Sequence, residues 1–182
     1  MKARMVFFVG LCALCGRIFL SGYLPMSHAA QSDQVAMDLA DRLSAPENGD
    51  SLKRHVQVQR RGRREDATVL IAPVTVRAGL SGLSDRLTLS FLAAPVFNIG
   101  DGMQMDVFLV SAGIPRPVYS RYFDAGRKAE DRDWIPVAVS LDLPKAREVY
   151  LEIHVSGGPQ GDLVADWLAL AEARLARERA NQ

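Results

Sequence analysis

The groups in this chain that could do chemistry are mostly acids standing at turns. Asp101, Asp124, Asp131, Asp133 and Asp142 fall in or beside glycine-rich or charged stretches. Hard oxygen ligands carried on loops suit calcium, and Asp101, Asp124 and Asp142 are where a structural calcium would be held. The chain lacks a tight D-x-D-x-D-G run, and the simpler work for such acids is turn formation. His28, His55 and His154 are far apart, with no H-x-x-x-H or Cys/His set, which argues against a transition-metal site. Cys12-Ala-Leu-Cys15 has the spacing of a redox or metal pair, but its apolar flanks make both cysteines membrane-like filler. Gly79-Leu-Ser-Gly82 has the wrong spacing for a G-x-S-x-G nucleophile elbow. Gly100-Asp-Gly102 leads into a strand pattern and not a helix, so it is no dinucleotide loop. Acids are numerous enough for a glycosidase pair, yet nothing singles out two of them. Taken together, these residues point away from an enzyme and imply no cofactor beyond that calcium.

The elements that must position these groups begin after an unusual N-terminus. Lys2 and Arg4 precede an apolar run from Met5 to Cys15, which Gly16-Arg17 interrupts and Ile18 to Met26 resumes. Ser27-His28-Ala29 then places small residues where a signal peptidase needs them. The reading is a signal peptide over residues 1–29; the rival is an uncleaved anchor giving membrane association through residues 5–26. Arg17 at mid-span would cost the anchor about 3 kcal/mol. Leu11 and Leu14 stand where a lipoprotein needs a small residue, so neither cysteine is a lipidation site. Cleavage after Ala29 removes three bases and no acid, taking the formal charge from +1 to −2. The remaining chain has no cysteine, and its expected location is the periplasm or the extracytoplasmic face of the bacterial inner membrane.

The 182 residues, 48% hydrophobic and 24% charged, suffice for one domain with a core. The near-neutral charge argues against a dedicated nucleic-acid binder. Val35, Leu39 and Leu43 recur at four-residue spacing behind Ser32 or Asp33, which predicts a short helix over 32–43. Ser44 to Asp50 reads as a connection, and Lys53 to Asp66 as a solvated charged linker. Its basic run, Arg60-Arg61-Gly62-Arg63-Arg64, is offset by Glu65 and Asp66. Residues 30–66 are thus expected to precede the domain.

From residue 67 the period changes to two. Leu87, Leu89 and Phe91 alternate, as do Met103, Met105, Val107 and Leu109. Ile135, Val137, Val139 and Leu141 form a core-facing set against Trp134, Pro136, Ala138 and Ser140. Val149, Leu151, Ile153 and Val155 alternate against Glu148, Tyr150, Glu152 and His154. Many short alternating segments separated by glycine and proline predict a mainly β, antiparallel sandwich or jelly roll. Leu168 to Arg179, rich in Ala, Leu, Glu and Arg, favours a helical tail. A last strand through Trp167 to Leu175, with only the end helical, is the alternative.

The order of several short signatures resembles a known family. Gly100-Asp-Gly102 precedes a strand, Trp134-Ile-Pro-Val runs on to Val139-Ser-Leu-Asp142-Leu, and Gly158-Pro-Gln-Gly-Asp162 leads to Asp166-Trp167. This is similar to the galactose-binding-like jelly-roll domains of bacterial extracytoplasmic proteins, over residues 67–175 with a short tail at 176–182. Leu170 stands where the family often has a second tryptophan, which weakens a stacking platform. The resemblance implies a non-catalytic module engaging carbohydrate or an envelope protein partner. Arg121, Tyr122, Trp134, Asp166 and Trp167 are then the ligand-binding candidates. Asp166 and Trp167 either close the fold or border a sugar site, and Trp134 is either exposed or tucked under the charged loop before it. The other reading is a structural subunit docking onto a membrane complex through helix 32–43 and the C-terminal helix.

Overall fold

The computed structural model describes residues 35–45, 49–83, 86–159, 161 and 163–177. The segment expected to be a signal or anchor, Asp162 and the last five residues lie outside them. Within the described residues run ten strands. They are β1 (Val35–Asp38), β2 (Leu52–Arg60), β3 (Arg63–Ile71), β4 (Val74–Gly79) and β5 (Arg86–Pro95). β6 (Met103–Ser111), β7 (Ile114–Phe123), β8 (Ile135–Asp142), β9 (Val149–Gly157) and β10 (Trp167–Arg177) follow. A six-stranded antiparallel sheet has the order β2-β3-β10-β5-β8, with β1 also paired to β10. A four-stranded antiparallel sheet has the order β4-β9-β6-β7.

The core lies where the two alternating sets meet. Leu87, Leu89, Phe91, Leu168 and Leu170 face it from the larger sheet, and Met105, Val107, Leu151 and Ile153 from the smaller. Burying one such side chain contributes about 1.5–3 kcal/mol. That gain holds the register, because a one-residue slip would turn the whole set outward.

Three expectations give way to strand pairing. The helix over 32–43 is instead β1, paired with β10 from Val35↔Ala176 to Asp38↔Arg174, followed by one turn closed by Leu43 N to Leu39 O at 3.1 Å. Leu39 and Leu43 do reach the core, but a twelve-residue helix alone is marginal and the open edge of β10 wins. The charged linker is the β2–β3 hairpin, whose turn residues Arg61 and Gly62 both have positive φ, 40° and 87°. Such turns match the twist of the strands they join. The sheet therefore begins with β1 at Val35 and continues with β2 at Leu52, well before residue 67.

Of the two readings of the C-terminal stretch the strand holds: residues 167–177 are β10, a central strand between β3 and β5, and not a helical tail. A bulge between Ala171 and Arg174 explains why it reads as a helix. Leu168 and Leu170 face the core before the bulge, Ala173 and Leu175 after it, so period two breaks in the middle. Pairing on both sides overrides local propensity.

Candidate functional site

The structure separates the five ligand-binding candidates into three settings. Trp134 is tucked in, only 7% exposed, on the outer face of the six-stranded sheet among Val58, Ala67, Val69, Ala94, Ala169 and Ala171. Its indole Nε1 donates to Arg63 O at 3.3 Å, so the β2–β3 hairpin supplies the partner a buried indole needs. Arg121 donates from Nη2 to Asp131 Oδ1 at 2.6 Å, and the other Asp131 oxygen accepts Asp124 N at 2.8 Å. These two groups shape the loop after β7, with Asp131 buried and the Arg121 side chain 35% exposed.

Tyr122, Asp166 and Trp167 stand at one loop end. Tyr122 donates its hydroxyl to Asp101 O, and Asp101, Asp124 and Asp166 are buried around it. Desolvation raises the Tyr122 pKa first, and the Asp124 and Asp101 carboxylates add to it. Trp167 is exposed, with its ring edge-on to Phe97 at 5.4 Å. Asp142 lies apart from this group on β8, exposed and paired with Arg86 at 3.0 Å. Among the described residues no group of three or more His, Cys, Asp or Glu is placed to hold a metal ion.

A richer surface is the outward face of the four-stranded sheet. Alternation turns Tyr150, Glu152 and His154 of β9 away from the core, and pairing sets neighbours beside them. Glu152 lies between Arg77 of β4 and Phe108 of β6, and His154 between Thr75 and Asp106. Asp106 in turn faces Ser120 of β7.

Hydrogen bonds lock these groups in place. Arg77 Nε donates to Glu152 Oε2 at 2.5 Å, and His154 Nε2 bonds Glu152 Oε1 at 2.6 Å. The His154 ring lies 5.0 Å from Phe108, and the Arg77 guanidinium 5.4 Å from the Tyr150 ring. Gln104 Nε2 donates to Asp106 Oδ1 at 2.9 Å and Ser120 Oγ at 2.8 Å, and Ser120 donates to Asp106 at 2.7 Å. Burial pushes the Glu152 carboxyl up, but the His154 and Arg77 hydrogen bonds outweigh it and hold its pKa below the ordinary value. The face is thus ionic, pre-organised and open, with the Arg77 and His154 side chains 43% and 41% exposed.

Sequence reasoning passed over Arg77, Gln104, Asp106 and Phe108. The signal that was available is the non-core set of β9, Tyr150-x-Glu152-x-His154, whose members are too large and polar to be spacers. Two depressions lie on the other sheet. One of about 150 Å³ sits between Asp38, Arg54, His55, Asp66 and Glu172. The other, about 300 Å³, is lined by Ser90, Leu92, Pro136 and Arg174. In the first, the Asp38 carboxylate accepts Ala40 N and that of Asp66 pairs with His55, so the acids serve local structure.

No family model matches the chain. An uncharacterized protein of Archaeoglobus fulgidus is 30% identical over 76 residues, which are 42% of this chain and 19% of that protein. The match thus spans about a fifth of that relative's length. The chain is similar to the solved CBM51 module from Clostridium perfringens, in complex with methyl-galactose, at 14% identity and TM-score 0.48 over 74% of this chain and 87% of that one. It is similar to TmCBM61 in complex with β-1,4-galactotriose, at 14% identity and TM-score 0.48 over 75% and 88%. It is also similar to the CBM22 xylan-binding domain from Paenibacillus barcinonensis, at 10% identity and TM-score 0.49 over 76% and 86%. The two-sheet sandwich itself stands on the strand pairing of this chain.

Proposed function

We propose that this chain is a non-catalytic carbohydrate-binding module that holds a glycan across the outward face of its four-stranded sheet. The observation that carries the reading is the row Arg77–Glu152–Phe108 beside His154 and Tyr150, which joins ring faces to fixed charges on one open surface. A sugar presents apolar C–H faces and a rim of hydroxyls. Rings accept the former, and charged groups held at fixed spacing bond the latter with little ordering cost. Extracytoplasmic placement is part of this reading, supported by the basic start, the apolar run from Met5 to Met26 and the small residues at Ser27-His28-Ala29. The alternative of docking to a membrane complex loses its two helices among the described residues, where 35–38 and 167–177 are strands and 39–43 form a turn.

The test is electrophoresis of the full chain through gels holding single polysaccharides. Galactan and xylan are the first probes, after the ligands named for the similar modules. At least one polymer is expected to retard the wild type, while Tyr150→Ala and Arg77→Ala migrate freely and Thr88→Ala, on the other sheet, stays retarded. Equal retardation of all variants, or of none by any polymer, would overturn the reading.

A further inference from the structure

We infer that the loop end of the sandwich docks on an anionic lipid surface. Six large hydrophobic side chains are exposed among the described residues, and five of them, Phe97, Ile99, Leu163, Val164 and Trp167, gather at this end. They come from two loops that touch. Val96 N donates to Trp167 O at 2.7 Å, the Phe97 and Trp167 rings meet edge to face, and a Cβ on Gly100 would come within 2.8 Å of Val164 O. Ile99 and Val164 are 63% and 61% exposed, far more than packing alone leaves open. Clustered exposure of this kind marks a contact surface, whereas scattered exposure does not.

The charges around the tip choose the partner. The acids of this end, Asp101, Asp124, Asp131 and Asp166, are 5%, 4%, 1% and 1% exposed and turn inward to hold the loops. The cations lie outside them: the Arg127 side chain is 65% exposed though 4.0 Å from Asp124 Oδ2, and Lys128 Nζ lies 5.7 Å from the Tyr122 ring. Arg127 and Lys128 are exposed on the loop after β7, whose Gly126 stands beside Gly100 O and Asn98 O. Arg61, at the hairpin tip, reaches the same loop through Ala129 O at 2.7 Å. Among the described residues Glu130 is the exposed acid beside them, and Asp162, next to Leu163 in sequence, lies outside the described residues. Aliphatic side chains offer nothing to sugar hydroxyls. An apolar tip inside a cationic collar is instead complementary to acyl chains beneath phosphate headgroups, with an indole at the boundary. The site is separate from the glycan face and independent of it.

The test uses the full chain with vesicles of phosphatidylcholine alone, or with about a third phosphatidylglycerol, carrying bromine on the acyl chains. Bromine quenches an indole only at close range. Trp167 emission is expected to fall on the acidic vesicles, and Trp167→Phe to abolish the change, since Trp134 is buried on the six-stranded sheet. Ile99→Ser with Leu163→Ser should weaken binding at least about tenfold. Arg127→Gln with Lys128→Gln should weaken it about thirtyfold on acidic vesicles and little on neutral ones. Circular dichroism melts check that these surface variants stay folded. A vesicle-bound chain whose Trp167 is not quenched, as when residues 5–26 alone hold it, overturns the proposal. Equal binding to neutral vesicles, or a dimer in solution that Ile99→Ser with Leu163→Ser dissociates, overturns it as well.

Discussion

The two sheets use the same alternation and do opposite things with their outward residues. On the six-stranded sheet one part of the outward set is apolar and mostly small, Val58, Ala67, Val69, Ala94, Ala169 and Ala171, and Trp134 joins it in a second cluster. On the four-stranded sheet the outward set is large, aromatic and charged, and its members bond one another. Small residues under a cover belong to the fold. Large paired residues with one side open hold ionic groups at fixed spacing, and such pairs are weak grounds for stability. Trp134 is therefore covered on its own sheet, whereas Arg77 and Tyr150 stay open around Glu152, which is itself buried between Arg77 and His154.

The contrast is most easily broken at Trp134. Trp134→Ala should destabilise the fold by about 3–5 kcal/mol in urea unfolding, whereas Tyr150→Ala should cost under about 1 kcal/mol. Comparable losses would mean that the four-stranded sheet's outer face is structural too. Next in size is Gly102→Ala at the start of β6. Its φ is 95°, and a Cβ there would lie 2.6 Å from Phe123 O, so a loss of about 2 kcal/mol or more is expected in thermal melts. That outcome would show this end of the open face held by backbone and not by a cover.

Arg77→Ala sharpens the contrast further. Glu152 keeps His154, and Arg77 is nearly half exposed, so only about 1 kcal/mol of stability should go. Retardation by polysaccharide should fall about tenfold. The smallest effect is in acid. The Glu152 pKa lies below its ordinary 4.5, so through that range the folded chain binds fewer protons than the unfolded one. Its contribution is complete above the ordinary value and is lost as pH falls through the folded one. Glu152→Gln should flatten that part of the acid-unfolding profile.

Much of this could be read from residue order. The core sets of β8 and β9 face inward as their alternation says, and the turns fall at the glycines. Asp124 and Asp131 organise a loop, as acids at turns do. Arg77 and Phe108 were not legible as a site, because they stand far from Glu152 in sequence and only sheet pairing makes them neighbours. The run 60–64 read as solvated linker because charge marks exposure, and a hairpin at the sheet's edge is exposed as well.

Alternation by itself determined the class of the fold and the side chains that share a face, since successive strand residues must point to opposite sides. It left open what lies over each face. Only the tertiary structure decided that, by folding the β2–β3 hairpin back so that Arg63 O meets Trp134 while nothing among the described residues covers Tyr150 and Arg77. It also decided that an alanine-rich, helix-prone segment becomes the central strand. Pairing with β3 and β5 satisfies the backbone of β10 on both sides, and one bulge returns its leucines to the core. Cover and pairing depend on contacts distant in sequence, and local pattern carries no record of them.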